Sequence, residues 1–145
     1  MDGIVVRHGA SDEDVAGLRA LRFEVFVAEQ GVPAHEELDE HDAAAFHAVA
    51  VRDGAVVGTG RLVFVSGAEA RVGRMAVRAS VRRQGVGDAL LRFLEAEARS
   101  RGIARIALHA QTYVRSFYDK HGYSSDGEPF HEAGIEHVAM TKTLA

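Results

Sequence analysis

The sequence predicts an α/β fold: a mixed, largely antiparallel central sheet with one splayed parallel strand pair and flanking helices. Three observations predict it. Two apolar runs, 47–52 and 55–65, are separated only by Asp53-Gly54, a hairpin turn signal that fixes an antiparallel pair. A strand at 71–77, built on Val72, Met75 and Val77, runs through a glycine loop into a helix with Leu90, Leu91, Leu94 and Ala98 on one face. The apolar run 104–110 comes next, and the right-handed crossover rule makes it parallel to the 71–77 strand.

In chain order, residues 4–7 read as a first strand. Ser11 or Asp12 caps a helix whose acidic first turn (Asp12, Glu13, Asp14) suits the positive end of its dipole. Val15, Leu18, Leu21, Val25 and Phe26 form its apolar face, and Gly31-Val32-Pro33 stops it. Residues 35–42 are heavily acidic with two histidines, and two readings stay open: a solvated loop or short helix, or a substrate-facing lip that attracts a cationic amine. Ser66-Gly67-Ala68 turns the hairpin into the 71–77 strand, where Gly73 marks a bulge that would splay the sheet and open a slot. Gly102 stops the long helix. Residues 113–120 form a short helix with Val114, Phe117 and Tyr118, Tyr123-Ser124 begins a strand, 128–134 is a loop, and 135–143 closes the sheet.

Length and composition fit one domain over residues 1–145. An apolar content of 47% and a charged content of 26% are those of a soluble globular protein, and a net charge of −4 gives no electrostatic case for a nucleic-acid partner. The absence of cysteine excludes disulfides, thiolate chemistry and cysteine-based zinc sites. No apolar run is long enough for a membrane span and no basic leader precedes one, so a cytoplasmic protein without a membrane partner is expected. His35, His41 and His47 lack a ligand spacing with the nearby carboxylates, and no metal is expected.

The stretch Arg82-Arg83-Gln84-Gly85-Val86-Gly87 carries the first chemical signal. A glycine loop at a helix N-terminus leaves backbone N–H groups without intrahelical partners, and the glycines let phosphate oxygens approach them. Arg82 and Arg83 add positive charge. This is neither the dinucleotide fingerprint, since position 90 is Leu90, nor a Walker loop, since no Gly-Lys-Ser/Thr follows. On the loop alone, a pyrophosphate cradle and an ordinary strand-to-helix turn both fit.

Placed after Arg74-Met75-Ala76-Val77, the spacing Arg-x-x-Gly-x-Gly resembles the acetyl-CoA loop of the GNAT N-acetyltransferases. The segment Val114-Arg115-Ser116-Phe117-Tyr118-Asp119-Lys120-His121-Gly122-Tyr123 is similar to that family's Ala-x-x-Phe-Tyr-Glu-Lys-x-Gly-Phe. Arg22-x-x-Val25-Phe26-Val27-x-Glu29-Gln30 and Gly134-Ile135-x-His137-x-x-Met140 resemble its ElaA/YjcF-like branch. The resemblance implies a GNAT acyl-CoA N-acyltransferase fold and an acetyl-CoA-dependent N-acetyltransferase. Acetyl-CoA would be the cosubstrate, without a metal. A primary amine of a small molecule or peptide would be acetylated by direct attack in a ternary complex. Met75, Ala76, Val77, Arg82, Arg83, Gln84, Gly85, Val86, Gly87, Asp88 and Tyr118 would bind the cosubstrate, and a homodimer stays open. The alternative is a non-catalytic acetyl-CoA-binding sensor of the same fold.

Acetyl transfer needs a neutral amine, a polarised carbonyl and a stabilised leaving thiolate. An alkylamine with a pKa of about 10.4 must lose its proton to a base or a water relay. Tyr118 matches the family tyrosine that donates to the CoA sulfur; if it supplies the essential proton, its ionisation sets the alkaline limb of the rate profile. The competing reading is a core aromatic. Many GNATs carry a glutamate on the strand before the loop, but this one reads Arg71-Val72-Gly73-Arg74. The base is therefore open among Glu29, His109, Gln111, Glu132, His137 and water. Glu29 and His109 are the catalytic candidates beside Tyr118. Glu29, Gln111, Glu132 and His137 are the candidates for holding the amine.

Overall fold

The computed structural model describes residues 3–37 and 39–144. β1 (Ile4–His8) leads into α1 (Asp12–Arg22), whose cap is Ser11: its Oγ accepts the Asp14 N–H at 3.1 Å. Beyond Arg22 the helix changes character. Phe23–Glu29 is a π-helical stretch, closed by Gln30 N–H donating to Val25 O at 3.1 Å, rather than the uninterrupted α-helix that the periodicity predicts. A short α2 (Ala34–Glu37) follows.

β2 (Phe46–Arg52), β3 (Ala55–Phe64) and β4 (Glu69–Val77) extend β1 into an antiparallel meander. The β2–β3 turn is the expected one, with φ of 51° at Asp53 and 78° at Gly54. Two-residue alternation divides the sheet between two cores. Val49, Val56 and Ala76 meet Leu18, Leu21 and Val25 of the first helix on one face. Ala48, Ala50, Val57 and Leu62 meet α3 (Val86–Ser100) on the other. Leu90, Leu91, Leu94 and Ala98 of α3 are fully buried there, each leucine contributing about 1.5–3 kcal/mol of burial. The helix lies close to β3 because Gly58 has no side chain: a Cβ there would stand 2.8 Å from a Val86 methyl and 3.0 Å from Leu90.

β5 (Arg105–Gln111) runs parallel to β4 but pairs with it only from Glu69↔Arg105 to Arg71↔Ala107. Past that point the strands part. On its other edge β4 carries a bulge: Thr59 pairs with Ala76 and Arg61 with Gly73, so β4 spends one more residue than β3. The extra residue is Arg74, at φ 51°, and not the neighbouring Gly73 on which the sequence placed it. A 3₁₀ turn (Thr112–Val114) opens onto α4 (Arg115–Lys120), and β6 (Ser124–Ser125) follows. The expected 128–134 loop is instead half of a hairpin. β7 (Phe130–Glu132) pairs with β8 (Ile135–Thr143) across Ala133-Gly134, both at positive φ (52° and 76°), and β8 pairs antiparallel with β5. The result is the predicted mixed sheet with one parallel pair.

Candidate active site

Where β4 and β5 part, a cleft of about 1290 Å³ opens, lined among others by Phe26, Glu29, Val77, His109, Gln111 and Tyr118. Small-ligand pockets usually measure roughly 300–1,000 Å³, so this one has room for two reactants.

Of the glycine-loop segment, Arg82 lines this cleft. Gly85 takes φ 83° as the N-cap of α3, no side chain caps the helix, and the first turn carries Val86, Gly87 and Asp88. Their amides lack intrahelical acceptors, the arrangement by which helix N-termini receive anions. Arg83 and Gln84 are exposed beside it. Arg82 turns back instead: its Nε–H donates to Val77 O at 2.8 Å, and Nη2 donates to both carboxylate oxygens of Glu29 at 3.0 and 2.8 Å. The Asp88 carboxylate accepts His121 Nε2–H at 2.7 Å, and that hydrogen bond holds its pKa below the usual carboxylate value. Met75, Ala76 and Val77 form the adjoining strand edge. Arg78 N–H donates to Val57 O on the β3 side, so by strand alternation the Val77 N–H faces the slot that β5 has left.

The middle of the cleft belongs to Tyr118. Its ring is buried at 8% exposure, edge-on to Phe117 and Tyr123 at 5.0 and 5.8 Å. Among the described residues no group hydrogen-bonds its hydroxyl, and burial pushes its pKa up to about 12.

β5 and the β7–β8 hairpin line a further part of the cleft. His109 Nδ1–H donates to Glu132 at 3.1 Å and its ring packs edge-on to Phe130, while the other Glu132 oxygen lies 3.8 Å from His137 Nε2. His137 is fixed by its Nδ1–H donating to Ile135 O at 2.7 Å. Gln111 Nε2 donates to the Gln30 side chain at 2.9 Å, and Gln30 Nε2 donates to the Tyr113 hydroxyl at 3.2 Å.

Residues 8–144 match the acetyltransferase (GNAT) domain model. The chain belongs to the GNAT N-acetyltransferase family. YjcF of Bacillus subtilis, an uncharacterized N-acetyltransferase, is 38% identical over 133 residues, which cover 91% of this chain and 94% of YjcF. An acyl-CoA N-acyltransferase from Pseudomonas aeruginosa superposes with a TM-score of 0.84 at 29% identity, covering 96% of this chain and 97% of that one. Escherichia coli ElaA superposes with a TM-score of 0.83 at 25% identity, over 96% and 97% of the two chains. The sheet is thus the GNAT acyl-CoA N-acyltransferase sheet, and the relatives include the branch that the sequence motifs resemble.

Within this GNAT site the sequence candidates separate. His109, Glu132 and His137 gather around one carboxylate, with Gln111 nearby on β5. Glu29 stands apart from them, spent on Arg82. The acidic segment begins as the expected short helix, α2, but its carboxylates are not simply a solvated face. Glu37, Asp39 and Asp42 are bound to three arginines, Arg22, Arg61 and Arg74, in one continuous network. Arg22 Nε–H donates to Glu37, its Nη1 and Nη2 donate to Asp42 at 2.7 and 3.0 Å, and Arg61 bridges Asp39 and Asp42 at 2.7 and 2.9 Å. The arginines hold both aspartates below the ordinary carboxylate range, although burial opposes this. These carboxylates are not free to steer a cationic substrate. Glu36 and Glu40 remain exposed, and Leu38 lies outside the described residues. Sequence reasoning also missed Gln30, Tyr113 and Phe130. The one available signal was Gln30 at the end of the branch motif. No helix among the described residues is long and apolar enough to cross a membrane.

Proposed function

We propose that this chain transfers the acetyl group of acetyl-CoA to a primary amine of a small molecule or peptide, by direct attack in a ternary complex. The observation that carries this reading is the Tyr118 hydroxyl, unpartnered among the described residues and held by a buried ring that lines the cleft, in a fold that also offers an uncapped helix N-terminus and a histidine–carboxylate pair. The amides of Gly85, Val86, Gly87 and Asp88 receive the pyrophosphate, with Arg83 and Gln84 beside them. The Met75–Ala76–Val77 edge lies along the pantetheine arm.

The amine nitrogen attacks the thioester carbonyl carbon, and the slot-facing amides of β4 take up the oxyanion charge. His109 bonds Glu132 through Nδ1, which leaves Nε2 to receive the amine proton, and Glu132 stabilises the imidazolium that forms. Gln111, Glu132 and His137 line the acceptor end. The carbon–sulfur bond then breaks toward Tyr118. A phenol at about 12 facing a thiol near 8.5 makes full proton transfer cost about 5 kcal/mol, so the hydroxyl donates a hydrogen bond to the thiolate. Glu29 orders the loop by neutralising Arg82 and does not act as the base.

The test is thiol release from acetyl-CoA with a panel of amines, followed by initial-rate kinetics against both substrates. Intersecting lines support direct attack, whereas parallel lines would refute it. The absence of a carboxylate between Arg71 and Val77 of β4 favours a non-catalytic CoA sensor as the second reading. Tight CoA binding without thiol release for any amine would establish that alternative.

A further inference from the structure

Arg74 combines two features that rarely meet. It is the bulge residue of β4, at φ 51°, a conformation that costs a non-glycine residue roughly 1–3 kcal/mol. Its side chain reaches away from the strand onto the end of α2 and onto Asp39 beyond it. Nε donates to Glu37 O at 3.1 Å, and Nη2 to Asp39 at 3.1 Å and Glu36 O at 3.4 Å. Asp39 is held in turn by Arg61, whose β3 position pairs with Gly73 immediately before the bulge. The anchor extends through Asp42 to Arg22, at the last turn of α1, where the π-helical stretch that lines the cleft begins. One ion network therefore joins the bulged edge of β4 to the acidic residues Glu37, Asp39 and Asp42.

We propose that Arg74 is a positioning residue: docked on the 36–42 segment, it fixes the β4 bulge and thereby aims the slot-facing amides that polarise the thioester carbonyl. The inference rests on the acetyl-CoA reading above and adds a coupling to it. Loosening that segment disorders the oxyanion site although none of its residues touches the carbonyl. Asp39 acts only through Arg74 and Arg61.

The test reads the carbonyl itself. Infrared difference spectra of acetyl-CoA labelled with ¹³C at the carbonyl, bound to the protein, report polarisation as a downshift of the thioester stretch, with no acceptor amine needed. Arg74→Gly is the informative variant, because glycine adopts φ 51° without strain and only the tether is lost. The expected result is loss of at least half of the downshift with CoA affinity within about threefold of wild type, since the pyrophosphate amides are untouched. Asp39→Asn should show the same pattern, and Arg74→Lys should restore part of the downshift. With an amine that is turned over, kcat should fall about ten- to a hundredfold without a matching change in KM for acetyl-CoA. A full downshift in a folded Arg74→Gly protein overturns the inference alone. If that variant does not fold, a full downshift in Asp39→Asn overturns it equally. Absence of a downshift in the wild-type protein despite tight CoA binding overturns the amide-polarisation reading, and the inference with it.

Discussion

Replacing Tyr118 with phenylalanine separates chemistry from packing. The ring keeps its edge contacts to Phe117 and Tyr123, and the deleted hydroxyl has no hydrogen-bond partner among the described residues. Stability should therefore change by less than about 1 kcal/mol in either direction, since no protein hydrogen bond is broken. CoA affinity should also persist. The rate should not: loss of the one donor to the departing thiolate predicts a fall in kcat of about ten- to a thousandfold. The pH dependence sharpens the test. A phenol raised to about 12 stays protonated through the assayable range, so the variant's profile below about pH 10 should keep the wild-type shape, scaled down. An alkaline limb set by Tyr118 is expected only if the phenol supplies the essential proton, and burial moves its ionisation above the assayable range. The assay is kcat, CoA dissociation constant and melting temperature on one preparation, with an amine already shown to be acetylated. A normal kcat removes Tyr118 from the mechanism. Selective loss of an alkaline limb refutes the hydrogen-bond account and restores proton transfer.

Asp42→Asn leaves Arg22 and Arg61 short of a buried counter-charge and should cost about 3–5 kcal/mol in urea unfolding; a loss below about 1 kcal/mol would show that the network is not a stabilising unit. Because the folded-state pKa values of Asp39 and Asp42 are depressed, their contribution is complete above about pH 4 and is lost as pH falls through the folded values, so the variant should show a shallower acid destabilisation. Gly85→Ala meets open space but strains a backbone at φ 83°, and calorimetry should show CoA affinity reduced about five- to tenfold with the fold intact, at roughly 1–2 kcal/mol of left-handed strain. Gly87 is not equivalent: a Cβ there would lie 3.4 Å from the Phe117 ring, so Gly87→Val should lower stability as well as affinity. His109→Gln should lower kcat about a hundred- to ten-thousandfold and Glu132→Gln less, since the amide still accepts from Nδ1; equal, small losses in both would return the pair to a structural role.

What the sequence conveyed was local. The Asp53-Gly54 turn and the α3 face are each written in a few consecutive residues, and each took the predicted form; the glycine loop stands at the start of α3 as its sequence placed it. The Tyr118 segment was legible for the same reason. What it did not convey was pairing across the chain. Residues 35–42 read as a charge run because Arg22, Arg61 and Arg74 are scattered through α1, β3 and β4, and nothing in a linear string shows that the fold brings all three beneath that run. The same limit hid the engagement of Glu29 by Arg82, 53 positions away. The 128–134 stretch misled differently. Its Ala133-Gly134 turn lacks the Asn or Asp that usually marks such hairpins, and β7 is only three residues long.

The bulge on β4 shows why the missed network belongs to the site rather than to the scaffold alone. If only a kink were needed, Gly73 would host it without strain, being the neighbouring residue and free of a side chain. The kink instead falls on Arg74, where the left-handed backbone is opposed by a Cβ. The side chain supplies the compensation. The donor to Asp39 is charge-assisted and the donor to Glu37 O carries the guanidinium charge; at about 1.5–3 kcal/mol each, the two together exceed the roughly 1–3 kcal/mol of strain. That balance holds only while Glu37 and Asp39 are docked against the strand. On the proposal made for Arg74, the aim of the β4 amides and the docking of Glu37 and Asp39 on the strand therefore depend on the same guanidinium.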